Sequence, residues 1–286
     1  METANSKISL VLEGGGMRGV YTAGVLDAFL EAGIEFDGVI GVSAGACHAC
    51  SFLSRQKGRA YRVNVSYLKD WHYCSLRSWL TTGELFGSEM LFDTIPNKLD
   101  LFDYAAYDQN PTEFRAVVTN VNTGLPEYPV VHDLHQDIQW VRASSSLPLV
   151  STIVKVNGKE YLDGGISDSI PAQASIDLGY DKSVIVMTQC KEYRKGPNKL
   201  MPLLKKKYAR YPELLKCLEN RHTVYNQSLQ LIEDLQQQGK AFVIRPKDPV
   251  KIGRVEKDRS ELHALYSLGL EDGRNQIEAL KEFIKC

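Results

Sequence analysis

The sequence predicts an α/β protein: a three-layer α/β/α sandwich with a mainly parallel central sheet and a helical C-terminal extension. Three observations predict it. Short apolar runs alternate with segments of helical period through the first half of the chain. The joints between them are rich in glycine. Beyond residue 190 the composition shifts to a basic stretch and then to long helical segments with one short apolar run. Residues 7–190 read as one domain and residues 191–286 as a mostly helical extension or cap packed on it.

Each element has its own warrant. Residues 8–12 are an apolar run that ends at Gly14-Gly15-Gly16, hence a strand. In residues 20–32, Val20, Ala23, Val25, Leu26, Phe29 and Leu30 recur near helical spacing, and Gly33 stops them. Val39, Ile40 and Val42 make a second buried strand, and the small residues after Ser43 permit a closely packed helix. Residues 59–110 read as helical and irregular, with Trp71, Trp79, Leu85, Phe86 and Phe92 among them. Residues 114–121 read as a strand, and residues 133–146 as a helix that ends before Pro148. Residues 153–162 form a hairpin that turns at Asn157-Gly158, a two-residue turn signal between apolar runs. Residues 182–188 are another buried strand. A long helix over residues 212–238, a last strand at 241–244 and a helix over 260–286, broken near Gly269 or Gly273, complete the chain.

Composition narrows the function classes. Of 286 residues, 43% are hydrophobic and 24% charged, which excludes a disordered or collagen-like chain. Thirty-four Lys and Arg against 35 Asp and Glu leave a net charge of −1, so nothing draws the whole molecule to nucleic acid. The uncharged stretch from 38 to 54 is interrupted by Ser43, His48 and Ser51 and falls short of the roughly 20 apolar residues a membrane span needs. Residues 1–7 lack the basic start and apolar core of a secretory signal. Six cysteines are too few for a disulfide scaffold in a chain of this length and read as ordinary cytosolic thiols, so a cytoplasmic location is expected. Cys47-His48-Ala49-Cys50 has the C-x-x-C spacing but no second pair to complete a zinc site; helix packing and a redox role are its two readings. His132 and His135, with Asp133 and Asp137 beside them, are either helix-start caps or metal ligands. No metal and no cofactor enters the expected chemistry.

The glycine loop Gly14-Gly15-Gly16-Met17-Arg18-Gly19 lies between the first strand and the first helix and matches G-x-G-x-x-G. A nucleotide-binding oxidoreductase is therefore one reading. That reading needs an acidic residue at the far end of the second strand. Asp37 is at its start, and Ser43 takes the far end. The placement suits an anion loop that serves a serine. Consecutive glycines let backbone N–H groups turn toward one point, next to the positive end of a helix. Such a loop holds a phosphate or a developing oxyanion, and one oxyanion donor contributes roughly 3 kcal/mol to transition-state stabilisation.

Gly41-Val42-Ser43-Ala44-Gly45 is G-x-S-x-G between a strand and a helix, the setting of an exposed nucleophile. Its place after only the second strand differs from the α/β-hydrolase order. A triad would need His222 or His263, both within helical patterns. The other candidate base is Asp163, in Asp163-Gly164-Gly165 directly after a hairpin strand.

Together these blocks resemble the patatin-like phospholipase family, and Ala143-Ser144-Ser145-Ser146-Leu147-Pro148 is similar to a fourth family block. The resemblance covers roughly residues 7–190 and is nearest to bacterial members. It implies a serine–aspartate dyad that hydrolyses fatty-acyl esters of phospholipids or related lipids, with Ser43 as nucleophile, Asp163 as base and no catalytic histidine. Gly14, Gly15, Gly16, Arg18 and Gly19 then belong to the oxyanion loop, while Gly41, Gly45, Gly164 and Gly165 form the elbow and turn. An unperturbed aspartate, with a pKa near ~3.9, is a weak base, so partial desolvation of Asp163 is expected. Phe86, Phe92, Trp71 and Trp79 serve either the core or an acyl pocket. Residues 190–210 carry eight cations against Glu192 alone, which marks either a solvated face or a peripheral contact with an anionic membrane face. A non-catalytic lipid-binding module is the remaining alternative.

Overall fold

The structure, a computed structural model, describes residues 6–285. The first five residues, where the reading of the N-terminus falls, and Cys286 lie outside them. The chain opens as β1 (Ile8–Leu12), α1 (Val20–Ala32), β2 (Gly38–Val42) and α2 (Ala44–Leu53), the expected alternation. The irregular stretch that follows holds α3 (Arg59–Val65), α4 (Leu76–Thr82), a π-helical segment at Met90–Leu99 and α5 (Tyr104–Asp108). Next come β3 (Glu113–Asn120), β4 (Pro126–Glu127), α6 (Leu134–Ser144), the hairpin β5 (Val154–Val156) and β6 (Lys159–Asp163), α7 (Ala172–Asp177) and β7 (Lys182–Val186). The remainder is α8 (Met201–Lys207), α9 (Pro212–Gln237), β8 (Ala241–Ile244) and α10 (Arg259–Lys285).

One sheet runs through the molecule in the order β5-β6-β3-β2-β1-β7-β8, with β4 beside β3. The pairs β1–β2, β1–β7, β2–β3 and β7–β8 are parallel, and the hairpin side is antiparallel. Alternation along β1 sets the layers. Leu10 and Leu12 join α1, α2 and α10 in the largest core cluster, whereas Val11 faces α7 and α9 on the opposite side. The extension therefore belongs to the same three layers. Its strand β8 pairs with β7 from Ser183↔Ala241 to Val186↔Ile244, and its two long helices cover opposite faces.

The break expected near Gly269 or Gly273 is absent; α10 is continuous. Those glycines are contact points. A Cβ at Gly269 would collide with the Tyr21 carbonyl of α1, one at Gly273 would stand 2.7 Å from Ala28 Cβ, and Gly24 of α1 faces the Tyr266 carbonyl of α10 in the same way. Close approach of two helices, rather than interruption of one, accounts for the glycines. Among the described residues no helix is long and apolar enough to cross a membrane.

Register brings the site together. Leu12 is opposite both Gly41 and Val186, so the loops after β1, β2 and β7 leave the sheet at one edge. Val42 is paired with Val117, and the next residue of β3, Val118, is paired with Asp163. Ser43 and Asp163 thus stand at one level on either side of β3.

Candidate active site

Ser43 is the corner between β2 and α2, at φ 56° and ψ −121°. That backbone costs a non-glycine residue ~1–3 kcal/mol and persists only where its surroundings enforce it. Here Ser43 N–H donates to Ser144 Oγ at 2.9 Å. The neighbours must be small: a Cβ at Gly41 would lie 2.7 Å from Ala46 Cα, and one at Gly45 2.7 Å from the Leu12 carbonyl oxygen. The corner is buried, with Ser43 at 7% exposure.

Asp163 ends β6 and is 2% exposed. Its Oδ1 accepts from Gly165 N–H at 2.7 Å. Its Oδ2 is buried with no hydrogen-bond partner among the described residues. Burial raises the Asp163 pKa; the Ser43 hydroxyl, the Arg221 charge and the Gly165 amide pull it back down. The serine hydroxyl thus stands beside the carboxylate, whose Oδ2 has no other hydrogen-bond partner among the described residues. Gly164 has no room for a side chain because its Cα faces the Val117 carbonyl.

The block 143–148 fastens the two groups to each other. Ser144 Oγ holds the Ser43 amide, the Ser146 carbonyl accepts from Asp163 N–H at 2.9 Å, and Ser145 Oγ lies 3.2 Å from Cys47 Sγ. The glycine loop closes a third side. Gly14 N–H reaches the Ser169 carbonyl at 3.5 Å, and Met17 N–H donates to the Arg254 carbonyl at 3.1 Å. Gly16 takes φ +58°, and a Cβ there would meet the Arg254 oxygen at 2.6 Å. Neither the Gly15 nor the Gly16 amide donates to an acceptor among the described residues. A Cβ at Gly19 would stand 2.9 Å from Ala44 Cβ and from His48 Cε1. Arg18 has its Nε buried without a partner among the described residues, and burial lowers its pKa.

Ser43 opens onto an apolar cavity of about 150 Å³, lined in part by Met17, Phe86, Leu91, Phe92 and Phe102. Of the four aromatics singled out in the sequence, Phe86 and Phe92 line it and the two tryptophans do not. Trp79 is partly exposed with its indole on the Leu149 carbonyl, and Arg77 covers Trp71 at 4.1 Å.

The other candidates fall elsewhere. His222 is on α9 against the Glu219 carbonyl, and His263 on α10 meets the Tyr61 hydroxyl at 3.0 Å. Asp37 accepts from Ile8 N–H at 2.6 Å, at the edge of the sheet opposite the glycine loop. Asp133 caps α6 and accepts from His135 N–H, and the His135 ring stacks on Tyr104 at 3.9 Å. Among the described residues, no three of His, Cys, Asp and Glu gather as a metal site would require. Cys47 and Cys50 are free thiols on α2, and burial pushes Cys47 up to about 11. The basic stretch is not one face: Lys195 packs over Tyr225, Lys205 pairs with Glu219, and Arg194 approaches Glu233.

Sequence reasoning missed several neighbours. His48, one turn into α2, lines the cavity, and burial drives its pKa down to about 4. Arg221 of α9 donates from Nε to the Gly165 carbonyl and from Nη2 to Ser169 Oγ at 3.4 Å. Nothing distinguishes Arg221 in the sequence from a solvated helix position. Glu13 did leave a signal, as a charge ending an apolar strand. It is buried, accepting from Thr188 N–H at 2.6 Å and from the Tyr225 hydroxyl at 2.7 Å.

A strained serine at a strand–helix corner, facing an apolar cavity, is the equipment of an acyl-hydrolase class of α/β protein. Comparison with known proteins supplies the family. The family model described as patatin-like phospholipase matches residues 10–176, more than half of the chain, and the chain belongs to that family of lipid hydrolases. A second model, described as a domain of unknown function, matches residues 211–285. The chain is 29% identical over 278 residues to the uncharacterized protein YjjU of Escherichia coli (strain K12), covering 94% of this chain and 76% of that one. It is 29% identical over 182 residues to lysophospholipase nte1 of Aspergillus terreus, covering 61% of this chain but only 11% of that much longer protein. Among solved structures, VipD from Legionella pneumophila superposes with a TM-score of 0.49 at 11% identity, over 96% of this chain and 67% of that one, a likeness too slight to add to the assignment.

Proposed function

We propose that this chain is a serine acyl hydrolase that cleaves fatty-acyl esters of phospholipids or related lipids through a Ser43–Asp163 dyad. One observation carries the reading: the unpartnered, buried Oδ2 of Asp163 beside the hydroxyl of a serine held at a strained corner. Asp163 accepts the Ser43 proton as Oγ attacks the ester carbonyl. The free amides of Gly15 and Gly16 are the candidate donors to the oxyanion, and the alcohol leaves with a proton returned through Asp163. Water then attacks the acyl-serine, with Asp163 again as base. Burial makes the carboxylate a stronger base than a free aspartate, while Arg221 keeps it ionised. The cavity receives the acyl chain, and no histidine takes part.

The basic stretch enters this reading in narrower form. On and beside α8, Lys205, Lys206 and Lys207 adjoin Leu200 and Leu203, exposed at 52% and 56%; this is the proposed contact with an anionic lipid surface.

Labelling with a fluorophosphonate followed by mass spectrometry tests the dyad. Modification at Ser43, and loss of ester hydrolysis in Ser43→Ala, are expected. Full turnover of a fatty-acyl ester by Ser43→Ala would end the proposal.

A further inference from the structure

Four cations gather about the glycine loop. None of them lines the apolar cavity. Arg18 comes from the loop; Lys195, Arg221 and Arg254 come from the extension. Three contacts bring the segments that carry three of them to the loop. Arg254 receives the Met17 amide on its carbonyl at 3.1 Å. Arg221 is clamped to Gly165 and Ser169. The Lys195 ammonium rests 3.9 Å over the Tyr225 ring, whose hydroxyl is bonded to Glu13, the residue just before the loop.

No carboxylate among the described residues forms an ion pair with any of the four. Glu13 is committed to Thr188 and Tyr225, and Asp163 Oδ1 to Gly165. Arg18 Nε is buried and bonded to nothing among the described residues. Elsewhere, buried or half-buried arginines do have partners: Arg59 with Asp100, Arg142 with Glu84 and Arg115 with Glu113. Glu13 and Asp163 act on these groups from nearby, but two carboxylates do not offset four like charges, and burial deepens the cost. Lys195 registers both: burial and the charges of Arg221, Arg254 and Arg18 lower its pKa, with Glu13 opposing. Guanidinium groups present paired N–H donors that match the oxygens of a phosphoryl group.

We propose that Arg18, Lys195, Arg221 and Arg254 form an anion subsite for a phosphoryl group, which the extension builds onto the glycine loop. The assignment to the headgroup of an acylated glycerophosphate rests on the hydrolase reading above. The ester then lies at Ser43, its acyl chain in the apolar cavity and its phosphoryl group among the cations. The chemistry is shared with free phosphate, so the test separates the two.

Calorimetry on full-length Ser43→Ala protein measures binding without turnover. Inorganic phosphate and sn-glycerol 3-phosphate are the probes. Saturable binding of both is expected, tighter for glycerol 3-phosphate, and weakened at least tenfold by Lys195→Gln with Arg254→Gln. Arg254→Lys, which keeps the charge at an exposed position, should retain binding and guards against a folding defect. No saturable binding, or binding indifferent to the double variant, overturns the subsite. Equal affinity for the two probes overturns the headgroup assignment in favour of free phosphate. In the Ser43-containing protein, the double variant should raise KM for a monoacyl glycerophosphate at least tenfold more than KM for the matching monoacylglycerol; equal changes count against the proposal. Absence of hydrolysis of either ester would defeat the hydrolase reading while leaving the binding result to stand by itself.

Discussion

Removing one oxygen, in Ser144→Ala, tests how the Ser43 corner is held. Ser144 is fully buried at 0% exposure, so bulk water does not take the place of the lost hydroxyl. The Ser43 N–H loses the acceptor it has at 2.9 Å. A buried donor left without a partner costs ~1–3 kcal/mol. Ser144 also ends α6, where alanine is the better helix former by roughly 0.5 kcal/mol, and that gain pulls the other way. The orphaned amide is the larger effect, so urea unfolding should report a net loss of about 0.5–2.5 kcal/mol with an unchanged m-value. The corner itself should relax. If about 1.4 kcal/mol of its restraint is lost, the rate of fluorophosphonate labelling at Ser43 falls about tenfold. Ser146→Ala is the comparison: its hydroxyl donates to the Arg142 carbonyl at 2.8 Å, and its loss should matter less. Stability within about 0.5 kcal/mol of the parent, together with unchanged labelling, would mean that the strain at Ser43 is enforced elsewhere.

Two further outcomes are expected. Arg221 lowers the Asp163 pKa, and Asp163 must be ionised to accept a proton. Arg221→Gln should therefore move the acid limb of the kcat/KM profile for a small uncharged ester to higher pH, leaving the alkaline side in place; an unmoved acid limb would contradict the electrostatic role. For the lipid surface, Lys205→Gln, Lys206→Gln and Lys207→Gln combined should weaken the affinity for phosphatidylglycerol vesicles, read by co-sedimentation, by up to about 100-fold, on the basis of roughly 1 kcal/mol per basic residue near an anionic surface. Retention equal to the parent's, or equal binding to phosphatidylcholine vesicles, would return α8 to an ordinary solvated helix.

Local chemistry was legible in the sequence because it depends on neighbours along the chain. Apolar period, the Gly33 stop and the Asn157-Gly158 turn give α1 and the β5–β6 hairpin their positions. Gly41 and Gly45 flank Ser43 because the corner leaves no space for larger residues. Where a signal has two physical causes, the sequence misled: Gly269 and Gly273 weaken a helix and equally allow another helix to come close, and α1 against α10 is the second case.

What the sequence by itself determined was the set of candidate reactive groups and the turns that carry them: a serine after one strand, an aspartate after another, and a glycine loop. Only the tertiary structure decided their company. Pairing across β3 brings Ser43 and Asp163 to one level from 120 positions apart, and Ser144 and Ser146 tie them. It also draws Lys195, Arg221 and Arg254 to the loop from a segment whose charges, read in line, look like any solvated surface. Backbone preference acts over a few residues and is written locally; burial and electrostatic fields act through space and are set when the layers close.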